Sequence, residues 1–335
     1  MLDGSQRVKK SLNVAPTIYD VAVKAGVSIS TVSLAFNAPE RVSEETLKRI
    51  MATVDELGYV PKTEAVIRAR RGVGRIGVIA PFTSFPEPFA LRLKGVLNGA
   101  AGHSHEIVVF DQASAATSKL VSLPLTRRVD GLIIMSVPID EEIAHRLTDQ
   151  EIPTVMVEIP HEGFTNVLID HVGGGRMVAR HLLERGHQRF AYVGHRQEHD
   201  YPSQSLLQLE GFRSALPTPP EVRNIPYSFD AAVDEGLDLL EGPDRPTAVF
   251  AHDDLLASGI LRAARELGIE VPQELAIVGF NNSDLAKAIG LTTVEQPFEE
   301  SGLVAIQLLL ERLSDPSATR RDVSLGVSLV ARETS

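Results

Sequence analysis

Apolar positions follow two rhythms along the chain. Between Thr17 and Pro61 they fall three and four residues apart, and from Arg75 onward they gather in short unbroken runs separated by amphipathic stretches. The first rhythm predicts helices. In "TIYDVAVKAGVSISTVSLAFN" Ile18, Val21, Ala22 and Ala25 share one helical face, Thr17 and Asp20 are spaced as a capping box, and Gly26 stops the helix. Ser28 then caps a second helix, in which Val32 and Phe36 stand four apart and point inward. "RVSEETLKRIMATVDELGYVP" predicts a third helix, with Ser43 as cap, Glu44 and Glu45 near the positive end of the dipole, and Gly58 and Pro61 as stop signals. Three short helices joined through a Gly-Val-Ser turn predict a helix-turn-helix unit.

The second rhythm predicts buried parallel strands. "RIGVIAP", "EIVVFD", "GLIIMS" and "PTVMVE" alternate with helical stretches such as "FALRLKGVLNGA" and "EEIAHRLTDQ". A second set, "NVLID", "RFAYVG", "TAVFA" and "LAIVGF", alternates with "GGGRMVARHLLERG", "SLLQLEGFRSAL" and "DLLASGILRAARELG". The fold class expected is a small all-α headpiece followed by an α/β body of two doubly wound parallel-sheet lobes. At 335 residues the chain has room for several cores. Ligands of wound sheets lie outside the carboxyl ends of the strands, so the residues at and just after the end of each run are the ones to inspect, Met135 among them.

Charge separates the two parts. Residues 1–75 carry 12 Lys plus Arg against 8 Asp plus Glu, whereas residues 76–335 carry 21 against 36, within a total of −11. A basic front on an acidic body implies that the front alone meets a polyanion. Within that front the second helix is uncharged, and Ser28, Ser30, Thr31, Ser33 and Asn37 interleave with apolar residues. Short hydroxyl and amide side chains let a helix backbone enter a major groove about 12 Å wide and reach phosphates and base edges. The bland alternative is a solvated polar face.

The stretches "TIYDVAVKAGVSISTVSLAFN", "RVSEETLKRI" and "ELGYVP" resemble the headpiece of the lac and galactose repressor family of transcription regulators. "RRVDGLII", "HLLERGHQRFAYVG", "PTAVFAHDDLLASG", "VPQELAIVGFNN" and "LTTVEQPFEESG" are similar to that family's body, which has the periplasmic-binding-protein-like form. The resemblance implies a flexible arm over residues 1–16, a DNA-binding headpiece over 17–60, a hinge linker over 61–74 and an effector-binding, dimerising body over 75–335. It places the first lobe at about 75–160 and 291–318 and the second at about 161–290 and 319–335. By the same resemblance Thr17, Tyr19, Ser28, Thr31, Ser33 and Asn37 position the DNA backbone, and Ile29, Ser30 and Leu34 face the bases. Many members carry Arg at the position of Leu34, so this chain lacks the guanine fork and Leu34 is expected against a thymine methyl or in packing. In the hinge, the family's minor-groove leucine is replaced by Arg68, beside Ile67, so either Ile67 intercalates or Arg68 reads a narrow groove.

The resemblance also supplies cleft positions. Gln208 stands where members often clamp a ligand with Arg, Asp253 and Asp254 follow one strand, Asn281 and Asn282 follow another, and Glu158 keeps an acid. Without the Arg fork, a phosphate or carboxylate ligand is disfavoured, and a neutral sugar or polyol is expected, with Phe85 or Phe89 on its apolar face. Expected partners are pseudo-palindromic double-stranded operator DNA, a small carbohydrate effector and a second copy of the chain. No cofactor, metal or membrane is expected.

Other chemistry is thin. Cys is absent, which removes disulfides and thiol catalysis. No apolar window reaches eighteen residues and no secretory signal is readable, so the cytoplasm is the expected compartment. Gly72, Gly74 and Gly77 fit a dinucleotide fingerprint but enter a strand rather than follow one. His195, Glu198 and His199 match an inverted zinc motif, yet they lie in a predicted loop, and His103 with His105 reads as a surface turn. A solute-binding protein without a DNA role and an α/β sugar-modifying enzyme are the competing functions.

Overall fold

The computed structural model describes residues 16–37, 41–57, 59, 74–84, 86–112, 129–196 and 203–335. Three helices form the front: α1 (Ile18–Ala25), α2 (Ile29–Asn37) and α3 (Glu44–Leu57). The Thr17 backbone N–H and hydroxyl both donate to Asp20 Oδ2 at 2.7 Å, which fixes the start of α1. Gly26 ends it at φ 63°, a left-handed conformation open to glycine at little cost. The two helices are bent by 105° across this turn, within the range of helix-turn-helix units. Val21, Val32, Ile50 and Val54 are fully buried between the three helices and pack with Tyr59.

The body contains two six-stranded sheets. The first holds β1 (Gly74–Ala80), β2 (His105–Asp111), β3 (Gly131–Met135), β4 (Thr154–Val157), β5 (Thr165–Ile169) and β11 (Asp322–Leu325), in the order β11-β5-β4-β3-β1-β2. All of its pairings are parallel. The second holds β6 (Phe190–His195), β7 (Glu221–Ile225), β8 (Ala248–Ala251), β9 (Ala276–Asn281), β10 (Thr292–Glu295) and β12 (Ser328–Val330), in the order β12-β10-β9-β8-β6-β7. Only its β10–β12 edge is antiparallel. Among the described residues the remaining helices are α4 (Pro86–Ala100), α5 (Glu141–Asp149), α6 (His171–Glu184), α7 (Gln204–Ala215), α8 (Phe229–Leu240), α9 (Asp254–Glu266), α10 (Asp284–Ile289) and α11 (Phe298–Ser314). Apolar clusters cover both faces of each sheet, as wound parallel sheets require.

Strand membership differs from the sequence expectation at three places. β5 was expected in the second lobe, but it pairs with β4 and β11, and its Val167 packs in the first lobe with Val155 and Val323. β10 was expected in the first lobe, but Val294 packs in the second with Val278 and Phe280. The terminal residues 319–335, expected whole in the second lobe, divide: β11 belongs to the first sheet and β12 to the second. Short apolar runs carry no mark of which sheet they join, so packing partners alone decide it. The chain therefore crosses between lobes at three points: between β5 and α6, between β10 and α11, and between β11 and β12.

Reciprocal glycines bring helices into backbone contact. A Cβ on Gly95 would lie 1.9 Å from the Glu299 carbonyl oxygen, and one on Gly302 would lie 1.9 Å from that of Arg92, so α4 and α11 touch directly. Gly175 and Gly211 join α6 and α7 in the same way, each with a backbone oxygen at 2.0 Å. No side-chain rotation relieves a clash with backbone. Gly302→Ala or Gly175→Ala is predicted to lower stability by about 3 kcal/mol, read from the urea midpoint. Gly326→Ala, where a Cβ meets nothing within 4 Å, leaves that midpoint nearly unchanged.

Candidate functional site

In the front, packing and exposure divide α2 cleanly. Val32 and Ala35 are buried, while Ile29 is 40% exposed at the helix start and Ser28 and Ser30 are exposed beside it. Ser28 Oγ accepts from the Thr31 backbone N–H at 3.1 Å and shares hydrogen bonds of 2.7 Å with the hydroxyls of Ser30 and Thr31. A hydroxyl cluster thus stands at the positive end of the helix. Thr17 and Tyr19 are exposed on α1, Thr31, Ser33 and Leu34 are half-buried, and Asn37 closes α2. Ile67 and Arg68, the hinge candidates, lie outside the described residues.

The second candidate site is a cleft between the lobes, a cavity of about 140 Å³ walled by polar side chains and the Phe89 ring. The cleft brings together Phe89, Glu158, Gln208, Asp253 and Asn281 from the sequence reading. It does not include Met135, whose side chain is fully buried in the first-lobe core; the next residue, Ser136, faces the cleft instead. Strand β3 ends at Met135, and Ser136 opens the turn that follows with a left-handed backbone. Phe85 lies outside the described residues, as do Glu198 and His199.

Among the lining side chains that the sequence did not mark as effector contacts are Arg92, Gln204, Tyr227, His195, His252 and Gln296. Arg92 left one trace. It falls on the apolar stripe of α4 with Phe89, Val96 and Ala100, and a charge on such a stripe demands a buried partner. That partner is Glu158, which accepts from Arg92 Nη2. The guanidinium also donates from Nε to Ser301 Oγ at 3.3 Å and lies 5.1 Å from the Phe89 ring centroid and 4.7 Å from that of Phe298. Both members of the pair are almost entirely buried, at 1% and 5% side-chain exposure.

Glu158 is satisfied from several directions. Its Oε2 accepts from the Ser136 hydroxyl and, across the cleft, from Gln204 Nε2 at 2.8 Å. Burial is the largest single influence and would raise this carboxyl, but Arg92, His171 and the Ser136 hydroxyl together outweigh it and hold Glu158 well below the ordinary carboxylate range. His171 Nε2 stands 3.7 Å from Oε1, and both of its ring nitrogens are buried without a hydrogen-bond partner.

The second-lobe wall is mostly uncharged. Burial, then the neighbouring His195 and His171, pushes His252 down to about 3, so its ring is neutral near pH 7. His252 Nδ1 shares a 2.9 Å hydrogen bond with Gln208 Oε1. Asp253 caps α9 through Oδ1, 2.9 Å from the Leu256 N–H, and its Oδ2 accepts from the Tyr227 hydroxyl at 2.5 Å. Capping and cleft lining are therefore both true of Asp253. Burial pushes its carboxyl up to about 6. Asp254, buried behind the cleft on Thr293 and Ser283, is pushed up by burial to about 7. Gln296 Nε2 donates to Asn281 Oδ1 at 2.6 Å, and Gln296 Oε1 is buried without a partner.

Three of the lining residues have left-handed backbones although none is glycine: Ser136 at φ 54°, Glu158 at φ 72° and Asn281 at φ 115°. Such conformations persist where the surrounding fold over-determines them, and they gather at ligand clamps.

An uncharged helix-turn-helix face joined to a two-lobed body with a polar cleft is the plan of a ligand-controlled DNA-binding regulator. Residues 17–62 match "Bacterial regulatory proteins, lacI family", and residues 179–335 match "Periplasmic binding protein-like domain". The transcriptional repressor PurR of Pectobacterium atrosepticum is 32% identical over 333 residues, covering 94% of this chain and 96% of that protein. The transcriptional repressor CytR of Escherichia coli is 31% identical over 315 residues, covering 91% and 92%. Among solved structures, the regulator CelR in complex with cellobiose has a TM-score of 0.68 at 26% identity and covers 96% of this chain and 100% of that one. The lac repressor dimer bound to operator and the anti-inducer ONPF has 0.67 at 27%, covering 96% and 99%. The chain belongs to the lacI family of bacterial regulatory proteins. It is a DNA-binding transcriptional regulator with an effector-binding body, which sets aside the enzyme and plain solute-binding readings. Among the described residues no single helix is long and apolar enough to cross a membrane.

Asp253 gives a pH prediction. Its folded pKa lies above the ordinary 3.8, so the folded state holds the proton more tightly, and this contribution is full below that value and lost as pH rises through about 6. Between pH 4 and pH 7 the stability of Asp253→Asn relative to wild type is predicted to rise by about 2 kcal/mol, read from paired urea titrations. A constant difference across that range contradicts the assignment.

Proposed function

We infer that the chain represses transcription as a homodimer on a pseudo-palindromic operator, and that a neutral sugar or polyol held between its lobes controls the grip. One observation carries the effector reading: the guanidinium that lines the cleft, Arg92, is already neutralised by Glu158. An anionic ligand therefore meets no unmatched cation there. A polyol instead meets amides, hydroxyls and a neutral imidazole along the second-lobe wall, with the Phe89 ring on the opposite side.

Known ligands of similar proteins support the class. CelR was solved with cellobiose, and a lacI-family regulator of Enterococcus faecium, 28% identical with a TM-score of 0.68 over 78% of this chain and 98% of that one, was solved with ribose. On the DNA side, Thr17, Tyr19, Ser28, Thr31, Ser33 and Asn37 are proposed to fix the headpiece on phosphates, and Ile29, Ser30 and Leu34 to face base edges. Two such headpieces on a dimer read half-sites about one helical turn apart. Effector binding needs to alter DNA affinity by only about 1–3 kcal/mol to act as a switch.

Two measurements test this. Selection from random duplexes with the full chain should enrich a two-fold symmetric sequence, and Leu34→Ala should relax preference at one position per half-site by about 1 kcal/mol. Thermal unfolding of the wild-type chain should shift upward with neutral pentoses, hexoses or disaccharides and not with sugar acids or sugar phosphates. Stabilisation by anionic ligands alone overturns the effector class.

A further inference from the structure

Three donors converge on one point in the cleft from separate parts of the chain. Arg92 Nη2 comes from α4, the Ser136 hydroxyl from the turn after β3, and Gln204 Nε2 from the first residue of α7 in the other lobe. A guanidinium with an adjacent hydroxyl and amide is the chemistry of an anion receptor, and its position against two phenyl rings removes competing water. In this chain the receptor is filled by its own carboxylate, Glu158. We propose that Glu158 is a built-in anion occupying a preformed anion-binding cradle, and that this occupancy is what restricts the cleft to uncharged effectors.

The proposal rests on the reading of the cleft as the effector site and adds which residue sets the charge class of the ligand. Glu158 reaches the cradle from a left-handed backbone position, φ 72°, which a side chain adopts only under constraint. The cradle spans both lobes, since Gln204 also lies 3.3 Å from Ser136 Oγ. Removing the carboxylate leaves Arg92 buried without its counter-charge, and an external anion restores it.

The test uses Glu158→Gly, which empties the cradle and suits the left-handed backbone. Thermal unfolding is compared in chloride, formate and inorganic phosphate at equal ionic strength. Formate or phosphate should raise the midpoint of Glu158→Gly by about 3 °C over chloride, the shift that tenfold saturation of a site gives a body of this size. Wild type, and the double variant Arg92→Met/Glu158→Gly, should show no such difference. If Glu158→Gly does not fold in chloride, its refolding yield in formate or phosphate is the readout, and recovery specific to those anions supports the cradle. An anion response equal in wild type, or surviving the loss of Arg92, or absent from Glu158→Gly altogether, overturns the proposal. Stabilisation of wild type by neutral sugars is scored in parallel, so failure of the cradle and failure of the effector reading give different results.

Discussion

A guanidinium almost wholly removed from water is costly to hold, and the first lobe is arranged round that cost. Arg92 sits between the rings of Phe89 and Phe298, gives one hydrogen bond to Ser301 and meets the Glu158 carboxylate. These groups come from α4, from the end of β4 and from α11, so one charge ties together three elements at the cleft wall. A buried ion pair is seldom worth more to stability than apolar side chains of equal volume, because desolvation offsets most of the attraction. The reason to retain one is therefore better sought in what it makes the cleft accept. A paired charge leaves the cavity polar without leaving it cationic.

The position of that pair follows from topology. Wound parallel sheets leave the carboxyl ends of their strands open, and two such sheets joined by three crossovers turn those ends toward one another. Ser136, Glu158, His195, His252, Asp253, Asn281 and Gln296 all stand just at or past strand ends. The left-handed backbones at Ser136, Glu158 and Asn281 show that the walls are set by the scaffold. A ligand entering such a site loses less free energy to ordering its receptor than one that must assemble it. Gln296, between β10 and α11, lies at one of the crossovers, so contact with a ligand there is also contact with the joint between lobes.

How much of this was legible in the sequence depended on whether the signal was local. Caps, stops and helical spacing identified α1, α2 and α3, because Thr17, Gly26, Ser28 and Ser43 act within a few residues of themselves. Apolar runs marked β1 to β6, β8 and β9 for the same reason, but β7, β10, β11 and β12 lack such runs and were not legible as strands. Membership of one sheet or the other is not local, and the segments of β5, β10 and β11 lie in the lobe opposite to the one expected. In the cleft, Glu158, Asp253 and Asn281 were readable as strand-end residues, while Met135 missed by one position. Gln204 was not readable, since it faces the first lobe only because two sheets approach each other. Gln208 in the place of Arg does not leave the cleft without a guanidinium: α4 supplies Arg92, neutralised by Glu158.

The DNA-facing end obeys a different electrostatic logic. Helix α2 has no acidic residue in its first turn and no basic residue in its last, and its exposed start is hydroxyl and isoleucine. Uncharged contacts release no counterions, so discrimination by α2 is nearly independent of salt, whereas the affinity that grows as salt falls must come from Lys and Arg elsewhere in the basic front. The acidic body opposes that attraction at long range. Individual grip is then weak at physiological ionic strength, where charges more than about 8 Å apart are screened, and in the proposed dimer two headpieces acting at once supply the hold that one lacks. Such a dimer would be sensitive to the spacing of its headpieces, and that spacing is what the proposed effector between the lobes would alter.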